Sequence, residues 1–282
     1  MAKILRRIPF SYRCSWVLNE HATLMEKNSL IKVKDMIVSL AIWSAFIGLT
    51  ILVFLAMSSF ALLLYSFDKK RKVAHAQCYW WASSLIRLNP YWKLRVRGLE
   101  NIDRNQTYVI VANHQSLADI IVLYKTKMQF KWVAKDVLFK LPLVGWCLKI
   151  AKHIQLSRGN YSSIKKSYHE AEEWLRNGIS VLFFPEGTRS TTEQMNKFQN
   201  GAFKLALQEK KPILPIAING TRDAIPKGDW LFKTKVLGTL HVLKPIDTCC
   251  FEVHEFNRLK NIVRLELEKE ETLNERSTIL TH

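Results

Sequence analysis

The chain has 282 residues, enough for one large α/β domain with an appendage or for two small domains, and the first arrangement is the expectation. Lys and Arg number 42 against 24 Asp and Glu, a formal charge of +18 with a pI near 9.8. Such a surface attracts polyanions, which leaves nucleic acid, an anionic membrane and phosphorylated substrates as partners. The five cysteines, Cys14, Cys78, Cys147, Cys249 and Cys250, form neither a CxxC pair nor a regular framework, which argues against a disulfide scaffold and fits a reducing compartment.

In chain order, residues 1–35 read as a basic N-terminal segment and 36–72 as a membrane anchor. Met36 to Phe67 contains 32 residues without one Asp, Glu, Lys, Arg, His, Asn or Gln. A bilayer-spanning helix needs roughly 20 apolar residues, so this stretch is a membrane segment rather than a soluble core helix. It is too long for the apolar region of a cleaved signal peptide and starts too far into the chain. Two geometries fit: a single tilted span, or two shorter helices turning near Gly48 to Thr50 and dipping into one leaflet. Lys27, Lys32 and Lys34 flank one side and Lys69, Lys70, Arg71 and Lys72 the other, which favours the hairpin and puts the large domain in the cytoplasm. The following "AHAQCYWWASSLIRL" reads as a partly amphipathic helix, with Trp80, Trp81, Tyr91 and Trp92 expected at a membrane interface.

Strand and helix signals then alternate. "YWKLRVRGL", "TYVIVAN", "FKWVAK", "ISVLFFPEGTRS" and "PILPIAING" read as strands or strand ends. "LADIIVLYKT", "SSIKKSYHEAEEWLRNG" and "GAFKLALQEKK" read as helices, the second ended by Gly178. Several strands are continuous apolar runs, as in parallel sheets buried on both faces. Residues 73–250 are therefore expected to form an α/β domain, a mixed and mostly parallel sheet flanked by helices. In the remainder, 251–282, Phe256, Leu259, Val263 and Leu267 share one side of a charged helix expected to pack against that domain. A nucleic-acid arm would be basic throughout, whereas Glu and Lys mix here.

Two constellations carry chemistry. In "NHQSLAD", His114 follows a buried strand directly and Asp119 falls about one turn into the next helix. A carboxylate reaching one imidazole nitrogen fixes the tautomer and leaves the other free to take a proton from a hydroxyl. The same residues, Ser116 to Asp119, also fit a capping box. In "FFPEGTRS", a buried strand ends in Pro185, Glu186 and Gly187, where Gly allows close backbone approach, and Arg189 offers a planar fork suited to phosphate. The plainer reading is a β-turn with a surface arginine. Lys135 and Arg158 lie between these blocks, and Pro215 is expected at an edge or strand start.

Together these blocks resemble the 1-acylglycerol-3-phosphate acyltransferase (lysophosphatidic acid acyltransferase) family over roughly residues 90 to 250. "NHQSLAD" matches the N-H-x-x-x-x-D block and "FPEGTRS" the F-P-E-G-T-R-S block. "IQLSRG" resembles an arginine-bearing block, and "ILPIAINGT" a V-P-I block with Leu214 where valine is common. The resemblance implies a glycerolphosphate acyltransferase-like fold and transfer of an acyl chain from acyl-CoA or acyl carrier protein to the sn-2 hydroxyl of a lysophospholipid. It implies His114 and Asp119 as catalytic residues, His114 as general base and Asp119 orienting it. Glu186, Gly187, Thr188, Arg189, Arg158 and Lys135 would be the substrate-binding residues. It implies no metal, no cofactor beyond the thioester co-substrate, no nucleic acid, and a membrane location with the catalytic domain on the cytoplasmic side.

Three alternatives stand beside this reading. The acceptor could be another lysophospholipid. Ser116 or Cys147 could serve a nucleophile-based hydrolase, although the G-x-S-x-G elbow is missing. A membrane-tethered polyanion binder would explain the charge but not the paired blocks.

Overall fold

The computed structural model describes residues 10–89, 92–190, 194–222, 224, 231 and 236–279, with side chains from 33 to 273. The chain opens with a long helix, α1 (Phe10–Leu63), followed by α2 (Lys72–Leu88). The sheet strands are β1 (Trp92–Arg97), β2 (Val109–Ala112), β3 (Phe130–Lys135), β4 (Ile154–Leu156), β5 (Ser180–Phe183), β6 (Ile213–Asn219) and β7 (Val236–Val242). Between them come α3 (Ala118–Leu123), α4 (Asp136–Phe139), α5 (Val144–Ile150), α6 (Tyr161–Arg176) and α7 (Gly201–Gln208), and α8 (Phe256–Ile279) follows β7.

The seven strands lie in the order β1-β7-β6-β2-β5-β3-β4. All pairs are parallel except β6 with β7, so β1 and β7 run against the other five. The sheet is thus mixed and mostly parallel with helices on both faces, as the apolar strand runs require. In β2, Ile110 and Ala112 join a core with Ala82 and Leu85 of α2. Val109 and Val111 point the other way, toward α6, α7 and α8. Leu259, Val263 and Leu267 of α8 are fully buried there, each worth about 1.5–3 kcal/mol of burial, so the C-terminal helix packs on the domain as its spacing requires.

Of the two N-terminal geometries, the chain has one continuous helix and not the hairpin that the flanking charges favour. It runs unbroken from Phe10 through Gly48 and Thr50, and the Thr50 hydroxyl is satisfied within the helix by donating to the Phe46 carbonyl at 2.6 Å. The chain instead reverses between α1 and α2, where Asp68 accepts the Lys72 and Val73 amides at 2.7 and 3.0 Å and so caps α2. That reversal is pinned to the sheet: the buried Lys131 ammonium donates to the Lys70 carbonyl at 3.1 Å and the Ala151 carbonyl at 2.6 Å. The Val33–Leu63 part of α1 is long and apolar enough to cross a membrane.

The expected aromatic belt is divided among different surroundings. Trp80 is exposed, but Trp81 packs on Phe46 and donates to Thr50 at 3.2 Å, and Trp92 lies within the sheet. Tyr91 lies outside the described residues. Pro215 is neither at an edge nor at a strand start: it is the third residue of β6, between β2 and β7. It is tolerated because its carbonyl, facing β7, takes the Leu243 amide where that antiparallel ladder ends, so the missing N–H falls at the end of the ladder.

Candidate active site

Five parallel strands end at one edge of the sheet, and the four sequence blocks leave from four of them. β2 delivers His114, β4 delivers Arg158, β5 delivers Glu186 to Arg189, and β6 delivers Thr221. This carboxyl edge is where α/β sheets build sites, because the loops there are free to diverge. Lys135 closes β3 at the same edge.

His114 Nδ1 lies 2.7 Å from Asp119 Oδ2. Asp119 is fully buried, and the same oxygen accepts the amides of Gln115 and Ser116 at 2.7 and 2.9 Å. Its other oxygen accepts the Thr221 hydroxyl at 2.5 Å. A carboxylate among four donors presents only acceptors, so Nδ1 carries the proton and Nε2 is left with its lone pair. Among the described residues Nε2 has no partner, and the ring is stacked on Phe184 with centroids 4.1 Å apart. The capping-box and proton-transfer readings are therefore not alternatives. Asp119 takes the Ser116 amide, one half of a capping box, with the same oxygen that holds His114, while the Ser116 hydroxyl takes the Ala118 amide and the Asp119 amide goes to the Ser116 carbonyl.

The loops around His114 are tied to one another. Asn113 exchanges two 2.8 Å hydrogen bonds with the Ile218 backbone, which fixes β2 against β6. The buried Glu186 accepts the His114 amide through Oε1 and the Asn196 amide through Oε2, both at 2.8 Å. Burial raises its pKa above the ordinary carboxylate range, and those two amides pull it back toward the ionised form. Both Glu186 oxygens thus serve the protein backbone, so it shapes the loop. Gly187 has φ +72°, and a methyl group there would stand 3.6 Å from the Arg158 guanidinium, so Arg158 lies against the "PEGT" turn. Thr188 and Arg189 follow on that turn, Thr188 exposed and Arg189 half-buried. Among the described residues, Arg158, Arg189 and Lys135 make no ion pair or hydrogen bond. Lys135 shares the edge but not these contacts.

A cavity of about 300 Å³ is lined by His114 together with residues of α1, α2 and α5. Its walls are overwhelmingly apolar: Ile42, Phe46 and Met57 of α1, Trp81 and Leu85 of α2, and Leu148 of α5 among them. The nucleophile alternatives fare poorly in this setting. Ser116 is buried with its hydroxyl accepting the Ala118 amide at 3.3 Å. Cys147 lines the cavity, and burial pushes its thiol up to about 11, where little thiolate forms.

Sequence reasoning missed Thr221, Phe184, Asn113 and Asn196. Thr221 and Asn113 lie inside the recognised blocks, but only the folded sheet shows that they meet Asp119 and Ile218.

A family model described as Acyltransferase matches residues 93–219. The match takes in the "NHQSLAD", "IQLSRG" and "FPEGTRS" blocks and all but the last two residues of "ILPIAINGT". Among similar proteins, a 1-acyl-sn-glycerol-3-phosphate acyltransferase of Chlamydomonas reinhardtii is 35% identical over 66% of this chain and 55% of its own length. Another with that name from Pseudomonas aeruginosa is 36% identical over 54% of this chain and 57% of its own. The chain therefore spans little more than half the length of these relatives. The crystal structure of the 1-acyl-sn-glycerophosphate acyltransferase PlsC from Thermotoga maritima matches with a TM-score of 0.61 and 26% identity, covering 81% of this chain and 97% of that one.

Proposed function

We propose that the chain is a membrane-bound 1-acyl-sn-glycerol-3-phosphate O-acyltransferase, which moves an acyl chain from acyl-CoA or acyl carrier protein to the sn-2 hydroxyl of lysophosphatidic acid and yields phosphatidic acid. The observation that carries this reading is the 2.7 Å His114–Asp119 pair, with Nε2 unpartnered among the described residues and His114 lining an apolar cavity. His114 Nε2 takes the hydroxyl proton as the oxygen attacks the thioester carbonyl. Asp119 steadies the imidazolium that forms, and the tetrahedral intermediate collapses with loss of the thiolate, which recovers the proton from His114. No enzyme acyl intermediate is needed. The cavity takes the acyl chain, and Arg158 and Arg189, with Lys135 further along the edge, hold the phosphate. A polyanion binder that relied on charge alone would need neither the buried carboxylate nor the cavity.

The Val33–Leu63 stretch is roughly 46 Å long as a helix, more than the roughly 30 Å hydrocarbon core. Residues 42–57 of that helix wall the cavity, so they cannot stand clear of the domain as a perpendicular span. We place α1 and α2 together in one leaflet, with the domain on the cytoplasmic side.

Purified protein assayed against a panel of lysophospholipids, each with acyl-CoA and with acyl carrier protein, tests the reading. Transfer to lysophosphatidic acid above the other acceptors is expected, and His114→Ala should lower it about 10²- to 10⁴-fold with the fold retained. Hydrolysis of the thioester without transfer would overturn it.

A further inference from the structure

We infer that the segment carrying α4 and α5 is a second membrane-contacting surface, seated on an anionic phospholipid leaflet beside α1. The inference rests on the acyltransferase reading only for why such contact is useful.

The segment turns tightly. Leu143 has φ +61°, and a methyl group at Gly145 would lie 2.3 Å from the Phe139 carbonyl oxygen, so α4 and α5 are folded back on one another. This pushes Val137, Leu141 and Trp146 outward, with 47%, 44% and 49% of their surfaces exposed. Burying them within the domain was open to the chain, since neighbouring Phe139 and Leu148 are buried. Their exposure costs stability unless something apolar covers them.

Three observations say what covers them. First, the patch is continuous with α1: the Trp146 ring packs on Phe54 with centroids 5.3 Å apart, and around Phe54 the exposed side of α1 carries Ile51, Leu52 and Leu55. Whatever solvates that face of α1 also reaches Trp146. Second, the same segment and the turn that follows it carry exposed Lys140, Lys149 and Lys152, with Asp136 as the only carboxylate from 136 to 152. An apolar surface with a tryptophan and lysines suits the boundary between acyl chains and anionic headgroups, where lysine stems lie along apolar surface and the ammonium groups reach phosphate. Third, the same charge opposes a second copy of the chain, because a two-fold contact over this patch would bring the lysines of the two copies together. Leu138, Leu141 and Val144 of this segment also line the cavity, so leaflet contact and the acyl-chain site share one wall.

The test uses the full-length protein in vesicles of phosphatidylcholine with a minority of phosphatidylglycerol. Brominated phosphatidylcholine should quench part of the tryptophan emission. Trp146→Phe should reduce the quenched fraction, whereas Trp174→Phe, on the opposite face of the sheet, should not. In assays, the Val137→Glu/Trp146→Glu pair should raise the KM for vesicle-borne lysophosphatidic acid about tenfold or more. Its kcat and KM for a short-chain acceptor dispersed as monomers should stay within twofold of the parent, and Trp146→Leu should stay close to the parent in both assays. An unchanged quenched fraction in Trp146→Phe would overturn the inference. So would equal losses in the two presentations, or a shift from dimer to monomer on introducing the Glu pair. Failure of the parent protein to acylate either form of lysophosphatidic acid would sink the acyltransferase reading instead, while quenching would still decide the leaflet contact.

Discussion

Asp119→Asn separates a carboxylate that caps a helix from one that serves a base. Asp119 Oδ2 sits among three N–H donors and Oδ1 faces the Thr221 hydroxyl. An asparagine can enter this site one way round, with its carbonyl in the Oδ2 position and its NH₂ toward Thr221, whose hydroxyl then turns to accept. The reverse orientation would leave buried amides unpaired at about 1–3 kcal/mol each. The tautomer of His114 is thus kept, and what disappears is the negative charge beside the imidazolium. At a charge separation of about 4 Å and an effective dielectric of about 20, that charge is worth roughly 4 kcal/mol. The loss corresponds to about 10³-fold in kcat. Thermal stability should change little, whereas Asp119→Ala strips the acceptor from all four donors and should lower both. Steady-state kinetics with lysophosphatidic acid and a melting curve on the same preparation decide the matter. Turnover by the Asp119→Asn variant within tenfold of the parent would refute the argument and leave Asp119 a structural cap.

Arg189→Ala should raise the KM for lysophosphatidic acid by about 10- to 100-fold, the worth of a charge-assisted phosphate contact, while the donor KM holds. Arg189→Lys should recover only part, and Arg158→Ala and Lys135→Ala should show weaker forms of the same effect. Equal effects on both substrates would remove Arg189 from the phosphate site. Arg264→Leu should lower kcat about 10-fold or more with both KM values held, because its guanidinium grips the Met195 and Asn196 carbonyls at 3.1 and 3.2 Å, and the Asn196 amide holds Glu186, which holds His114. Unchanged turnover per folded molecule would limit Arg264 to packing. Burial lowers the Lys131 pKa from 10.5 to about 8, so folding releases a proton between those values, and stability is gained as pH rises from 8 toward 10.5 and lost as it falls back. The gain is up to about 3 kcal/mol. Lys131→Met should lack this slope in chemical denaturation at matched pH values, and parallel slopes would contradict it.

The parts of this fold that could be read from the chain are those whose signal is local. The β2, β5 and β6 runs are apolar apart from Ser180 at the start of β5 and Asn219 at the end of β6, because each strand is covered on both faces, and α8 shows its buried side as Leu259, Val263 and Leu267 at helical spacing. The short elements gave no such signal. β4 has three residues, and α4 and α5 are cut apart by Pro142 and a strained Leu143, so no periodicity develops. β7 was missed because Gly238, Thr239 and His241 interrupt it, and it is held as a strand by pairing with both β1 and β6 rather than by its own composition. The tryptophans illustrate a related point: residue type says that Trp81 and Trp92 prefer a boundary, but only packing shows that Trp81 lies on the flank of α1 and Trp92 half-buried at the start of the edge strand β1.

The same division runs through the site. His114, Asp119 and the "FPEGTRS" loop announce themselves because their spacing along the chain matches the end of a strand. Thr221, 102 positions from Asp119, closes the "ILPIAINGT" block, but nothing along the chain ties its hydroxyl to that carboxylate. It reaches Asp119 only because β6 lies beside β2 in register, with Ala112 opposite Ile216, which carries both chain ends over the same edge. Residues that do chemistry carry their signal in type and spacing, and residues that fix their orientation carry it in topology. The second group here, Thr221, Asn196 and Arg264, is therefore where substitutions should alter turnover, and Asn196 and Arg264 lie outside every motif.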